Sequence, residues 1–161
     1  MDSRKVKEAV TLYSNTVRKV AFAYTQNVTD ADDISQSTFL ALLECKKNFT
    51  SPDHIKAWLI RTATNKSKNH VNSAWNKKRT ELPSEFSNDC PPLPVESIQL
   101  VDALRRLKPK YRIPVHLYYY EGYSSTEIAK ILHCPSSTVR SHLKRAKEQL
   151  KSLIGDNEID T

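Results

Sequence analysis

The chain has 161 residues, enough for one ordinary domain or two very small ones. Its 25 Lys and Arg outnumber 18 Asp and Glu, and the formal charge of +7 favours a polyanionic partner, nucleic acid first and an anionic membrane surface second. Only two glycines are present, Gly122 and Gly155, which argues against a strand-rich fold with many tight turns and for an all-α one.

The first amphipathic segment runs from Ser3 to Gln26, where Val6, Val10, Tyr13, Val17, Val20 and Tyr24 recur in steps of four and three. A second helix is predicted in "TDADDISQSTFLALLECKKNF". Asp30 is read as its N-cap, and Asp32 and Asp33 as acids at the positive end of the helix dipole. Ala31, Ile34, Thr38, Phe39 and Leu42 form its apolar face. A third helix opens at Ser51 as N-cap and Pro52 as first residue, with Ile55, Trp58, Leu59, Thr62 and Ala63 toward the core.

The rest of that helix changes character. Arg61, Lys66, Lys68, Lys77, Lys78 and Arg79 occur without an intervening acid, and Asn65, Asn69, Asn72 and Asn76 lie near one face with Trp75 beside them. Asn is a poor helix former, so four in one helix carry a local cost. Cations, amides and an aromatic ring suit phosphates and base edges; a solvated helix end is the plainer reading. "ELPSEFSNDCPPLPVE", Glu81 to Glu96, then has four Pro, four acids and no Lys or Arg. It reads as a flexible acidic linker between two small helical domains.

Beyond the linker, Ile98, Val101, Leu104 and Leu107 share one helical face. Pro109 opens "PKYRIPVHLYYYEG", in which Pro114 forces a late start or a bend and Gly122 is the expected C′ residue. In "YSSTEIAKIL", Ser124 and Glu127 stand at capping-box spacing, Tyr123 and Ile128 at staple spacing, and Ile128, Ala129 and Leu132 face inward. "HCPSS" is a turn that Pro135 closes to helix. A last helix follows from about Ser136 with the stripe Val139, Leu143, Ala146 and Leu150. Its other face carries Ser137, Thr138, Arg140, Ser141, Lys144, Arg145 and Lys147. This is a helix-turn-helix whose second helix fits a DNA major groove. Arg140 and Lys144 have the reach for guanine; Lys147 and Lys151, farther along, suit phosphates.

The blocks "DADDISQSTFLALLE", "AWLIRTATNKSKNHVNSAWNKKR" and "LKPKYRIPVHLYYYEGYSSTEIAKILHCPSSTVRSHLKRAKEQL" together resemble a bacterial sigma factor of the extracytoplasmic-function group, over nearly the whole chain and in order. The resemblance implies region 2 at residues 1–80, a linker at 81–96 and region 4 at 97–161. It implies that region 2 docks on the clamp helices of RNA polymerase core through Asp32, Asp33 and Gln36. The segment from Asn48 to His54, with Arg61, Asn65, Lys66 and Asn69, then reads the promoter element near the start site and captures a flipped base. Region 4 reads the farther element through Arg140, Ser141, Lys144 and Arg145. An anti-sigma factor, often membrane-anchored, is the further partner implied. His133 and Ser137 stand where many relatives have Gly, the first at a position that suits positive φ, and Asn69 replaces a common Asp. Primary sigma factors carry several melting aromatics in region 2. Here Trp58 reads as core and Trp75 lies beyond the expected place, so melting depends on base capture and promoter choice is stringent.

A stand-alone helix-turn-helix regulator with an N-terminal dimerisation or sensing domain is the alternative, and Asp32 and Asp33 could be mere solubilising charges. An enzyme has little support: no acid–base pair, activated nucleophile or glycine-rich phosphate loop is apparent. Cys45, Cys90 and Cys134 are far apart with no CxxC pair, so neither a disulfide framework nor a metal site is expected, and no cofactor. No run reaches the roughly 18 apolar residues of a membrane span, and "MDSRKVKEAV" lacks a signal-peptide core. The expectation is a cytoplasmic protein without direct membrane insertion.

Overall fold

The computed structural model describes residues 1–77 and 95–154, and every regular element among them is a helix. The chain divides into two compact units, Met1–Ser87 and Asn88–Thr161.

The first unit is a three-helix assembly: α1 Ser3–Thr25, α2 Val28–Glu44 and α3 Pro52–Lys77. Asp2 caps α1 by accepting from the Arg4 N–H at 3.2 Å. Gln26 ends the helix in the left-handed region (φ 55°, ψ 27°), its N–H reaching the Phe22 carbonyl at 2.8 Å. The next residue already caps α2. Asn27 is extended, and its side chain accepts from the Asp30 N–H at 3.0 Å. The N-cap is therefore Asn27 and not Asp30. Asp30 lies in the first turn, where its charge favours the helix dipole. Asp32 and Asp33 lie a turn too deep for that role.

All five residues expected to face inward on α2 are buried. On α1 the seam runs through Val6, Ala9, Val17, Val20 and Ala21, leaving Val10 exposed. On α3 Leu59 and Ala63 are buried as expected, together with Ile60, Thr64 and Ser67, while Ile55, Trp58 and Thr62 are half-buried. The buried hydroxyls are satisfied within their own helices: Thr38 donates to the Ile34 carbonyl (2.7 Å), Thr64 to Ile60 (2.8 Å) and Ser67 to Ala63 (2.7 Å). An unsatisfied hydroxyl there would cost roughly 1–3 kcal/mol. This back-bonding lets small polar side chains fill a tight core without cross-helix partners. Ser51 caps α3 as expected, accepting from the His54 N–H at 3.2 Å, and the Tyr13 hydroxyl donates to the Pro52 carbonyl at 3.2 Å. The start of α3 is thereby held against α1.

The second unit contains α4 Val95–Arg106, α5 Pro109–Val115, a π-helical turn His116–Tyr120, α6 Ser125–Leu132 and α7 Ser136–Ile154. Helix α4 begins at Val95, so the last two residues of the expected linker segment are helical; Glu81 to Pro94 lie outside the described residues. The core gathers Ala103, Leu107, Tyr111, Val115, Ala146 and Leu150, with Leu104, Leu143 and Ile154 packed against it. Arg112 is buried within this unit. Its guanidinium donates to the Arg105 carbonyl at 3.2 Å and the Leu107 carbonyl at 2.9 Å, placing positive charge at the negative end of α4.

Pro114 bends nothing into a break. It lies inside α5, and the chain widens just after it into the π turn, where the Glu121 N–H reaches the His116 carbonyl at 3.3 Å. The missing Pro114 N–H and the extra residue per turn fall together. Gly122 follows at φ 73°, with the Tyr123 N–H closing on the Leu117 carbonyl at 3.0 Å. That is the expected C′ glycine, with a closure one residue wider than after an α-helix.

Candidate nucleic-acid interface

The helix-turn-helix is built by local signals. Ser124 accepts from the Glu127 N–H at 3.2 Å while Glu127 accepts from the Ser124 N–H at 2.9 Å, completing the capping box. Ile128, Ala129 and Ile131 are buried, with Leu132 half-buried. His133 then takes φ 52°, ψ 52°. The left-handed residue is thus a histidine, as the turn pattern anticipated, and the Cys134 N–H closes on the Ala129 carbonyl at 3.0 Å. Pro135 leads into α7: its carbonyl accepts from the Thr138 N–H at 3.0 Å and the Val139 N–H at 3.3 Å. Ser137 is not among the positive-φ residues; it lies in the first turn of α7, so its position makes no demand for glycine.

Val139, Ala146 and Leu150 bury one side of α7, and Leu143 is half-buried beside them. Ser137, Arg140, Ser141, Lys144, Arg145 and Lys147 are exposed; Thr138 and Lys151 are half-buried. At about 100° per residue, Arg140, Lys144 and Lys147 form one row and Arg145 stands about 140° around the helix from Arg140. The Arg145 guanidinium beside Tyr111 of α5 holds its phenol below the usual tyrosine range, burial opposes this, and Lys110 lowers it further. Tyr111 also meets the His142 ring edge-on at 5.4 Å. Burial pushes the His142 imidazole down from its ordinary value, and the charges of Lys110 and Arg145 add to this.

On α3, Asn65 and Asn69 are exposed and Arg61 is half-buried, all on one row at four-residue spacing; Lys66 is half-buried on the neighbouring row. Asn72 is exposed, whereas the side chains of Trp75, Asn76 and Lys77, and all of Lys78 and Arg79, lie outside the described residues. His70 Nε2 pairs with Asp30 at 3.2 Å, joining the exposed part of α3 to the start of α2. Ahead of α3, the Phe49 ring meets His54 at 5.2 Å and Trp58 at 5.9 Å, both edge-on. Trp58 is half-buried and braces the Asn48–His54 segment rather than filling the core.

Of the three α2 residues expected at a protein surface, Asp33 and Gln36 are exposed and Asp32 pairs with Arg18 at 2.6 Å. The spacing continues to two residues missing from the sequence reading: Leu40, 61% exposed, and Leu43, 43% exposed. Asp33, Gln36, Leu40 and Leu43 recur at three, four and three residues, on one stripe. The signal was present in "FLALLE", where Leu40 and Leu43 fall outside the buried repeat. Among the described residues no group of three or more His, Cys, Asp and Glu is placed to hold a metal, and no helix is long and apolar enough to cross a membrane.

One unit thus carries a helix-turn-helix with a basic second helix, and the other a helix whose exposed rows carry amides and cations. Residues 9–77 match the description of sigma-70 region 2, and residues 97–150 that of sigma-70 region 4. The ECF RNA polymerase sigma factor SigE of Mycolicibacterium smegmatis is 28% identical over 167 residues, covering 96% of this chain; the chain spans only 63% of that relative's length. The ECF RNA polymerase sigma-E factor of Haemophilus influenzae is 26% identical over 169 residues, covering 95% of this chain and 89% of the relative. In fold, the chain is similar to the sigma factor RpoE solved in complex with the anti-sigma factor NepR from Bartonella quintana, with TM-score 0.79, 19% identity, and 96% and 99% of the two chains covered. The chain belongs to the sigma-70 family of RNA polymerase sigma factors, in the extracytoplasmic-function group.

Proposed function

We propose that this chain is an alternative sigma factor that binds RNA polymerase core in the cytoplasm and directs promoter-specific initiation without catalytic chemistry of its own. Residues 1–80 act as region 2 and 97–161 as region 4, with 81–96 linking them. The observation that carries the reading is the α2 stripe of Asp33, Gln36, Leu40 and Leu43. Two exposed leucines beside polar residues at heptad-like spacing suit a partner helix, and the clamp helices of core are that partner. Asp32, tied to Arg18, borders the stripe and fixes α1 beside it.

Arg61, Asn65, Lys66 and Asn69, with the braced Asn48–His54 segment, engage the near promoter element. Ser137, Thr138, Arg140, Ser141, Lys144 and Lys147 engage the far one, and Arg145 lies on its flank. An anti-sigma factor is the expected regulator, since a stripe with exposed leucines is a surface that free protein keeps covered. A stand-alone regulator could use that stripe to dimerise but has no use for the Asn- and Lys-rich helix beside it.

Run-off transcription with and without bacterial core polymerase tests this. Core plus the chain is expected to start at selected promoters, and the chain alone at none. Repression by the free chain, with no initiation on addition of core, would rule the reading out.

A further inference from the structure

Helix α1 carries none of the residues assigned to core polymerase or to DNA, yet it touches the elements that carry both. Arg18 pairs with Asp32 of α2 at 2.6 Å, beside the Asp33–Leu43 stripe. On the same helix, the half-buried Tyr13 donates its hydroxyl to the Pro52 carbonyl at 3.2 Å, across 39 residues of chain. Val6, Tyr13 and Val20 follow at seven-residue spacing on the seam of α1, and both valines are buried. An aliphatic side chain would serve that seam; a tyrosine adds a donor at its edge. The acceptor suits it. The Pro52 ring fixes φ, and its carbonyl has two lone pairs, so α3 uses one and Tyr13 the other.

The segment ahead of α3 is shaped by its own contacts. Phe49 lies against His54 and Trp58, Thr50 Oγ1 is 3.5 Å from His54 Nδ1, and Ser51 accepts from the His54 N–H. Those contacts stay within residues 49–58, whereas the Tyr13 hydroxyl ties the segment to another helix.

We infer that Tyr13 is a positioning residue for near-element reading: from α1 it holds the Asn48–His54 segment in fixed register with the α2 stripe. The inference rests on the reading of residues 1–80 as a unit that binds core polymerase and promoter. A segment already held in place loses less conformational freedom when a base arrives. Helix α1 thereby becomes the strut between core docking at Asp32 and base reading at Pro52.

The test compares wild type with Tyr13→Phe, which keeps the ring and removes the donor. Amide hydrogen exchange on the full chain reads the segment directly. The N–H groups of His54 and Ile55, both bonded to Ser51, are expected to exchange about two- to tenfold faster in the variant, with the buried part of α2 unchanged. Initiation is then measured with holoenzyme at saturating core, on a promoter and on single-base variants of its near and far elements. Selectivity for the near element is expected to fall about two- to tenfold while selectivity for the far element holds. A general loss of folded protein lowers all templates together and leaves both ratios unchanged.

Unchanged exchange at His54 and Ile55 would overturn the tie. Faster exchange with unchanged near-element selectivity, or an equal loss of selectivity at both elements, would overturn the positioning role. Wild-type holoenzyme indifferent to near-element bases would instead overturn the reading of residues 1–80 and the inference with it, even with exchange as expected.

Discussion

Arg140 and Lys151 lie on the same helix and are expected to fail differently. Arg140 is exposed in the first half of α7, where a recognition helix faces base edges. Arg140→Ala should cost roughly 1–3 kcal/mol of discrimination at one position of the far element. Lys151 is half-buried near the end of α7; as a proposed phosphate contact, its change Lys151→Ala should weaken all sequences alike and reduce the salt slope. Binding measured on a set of single-base variants at several salt concentrations separates the two. Equal sequence-blind losses would mean that α7 lies in a different register. His133 offers a residue-scale test of folding. A side chain at φ 52° carries strain that glycine lacks and that a β-branched residue increases. Thermal midpoints are expected in the order Gly, His, Val at position 133, with Gly gaining roughly 0.5–1 kcal/mol. A His133→Gly midpoint below wild type would show that the histidine makes a compensating contact.

At the scale of elements, the termini follow side-chain chemistry and the faces follow periodicity, with departures that have physical causes. The capping box at Ser124, the Ser51 cap and the five buried positions of α2 were legible, because each needs only residues within one helix. The start of α2 was misplaced because Val28 and Thr29 are β-branched and mask a real signal. Asn27 followed three residues later by Asp30 has cap spacing. Thr64 and Ser67 do not read as core, because a polar stripe looks exposed until each hydroxyl is seen to bond its own helix. The π turn after Pro114 was legible as a disturbance, not as a geometry. The Tyr111–His142 ring contact crosses from α5 to α7 and has no one-helix signature. His142 adds a pH test at this scale. Its folded pKa is lowered, so below the unfolded value near 6.5 the unfolded chain binds a proton that the folded one does not. The contribution is intact above that value and is lost as pH falls through it toward the folded pKa. Unfolding midpoints should drop more between about pH 7 and about pH 5 in wild type than in His142→Gln. Parallel curves would mean that His142 is not the group responsible.

For the whole molecule, each of two helical units carries a helix that the proposed function assigns to DNA, and the first also carries the Asp33–Leu43 stripe. Leu40 and Leu43 are exposed, so their replacement leaves the core of α1, α2 and α3 untouched. The double change Leu40→Ser, Leu43→Ser is expected to keep the thermal midpoint and weaken core polymerase binding at least tenfold, read by competition against a labelled sigma factor. Full affinity in that variant would place the docking surface elsewhere. The central claim is that core polymerase sets both DNA-reading helices on one promoter. Its most direct test is to transcribe fragmented genomic DNA with the reconstituted holoenzyme, map the start sites and align the sequences upstream. Two unlike sequence blocks at a constant spacing from each other and from the start are predicted, the farther one degraded by Arg140→Ala. A single palindromic block bound without core polymerase would contradict it, because inverted half-sites are the mark of a dimeric helix-turn-helix regulator.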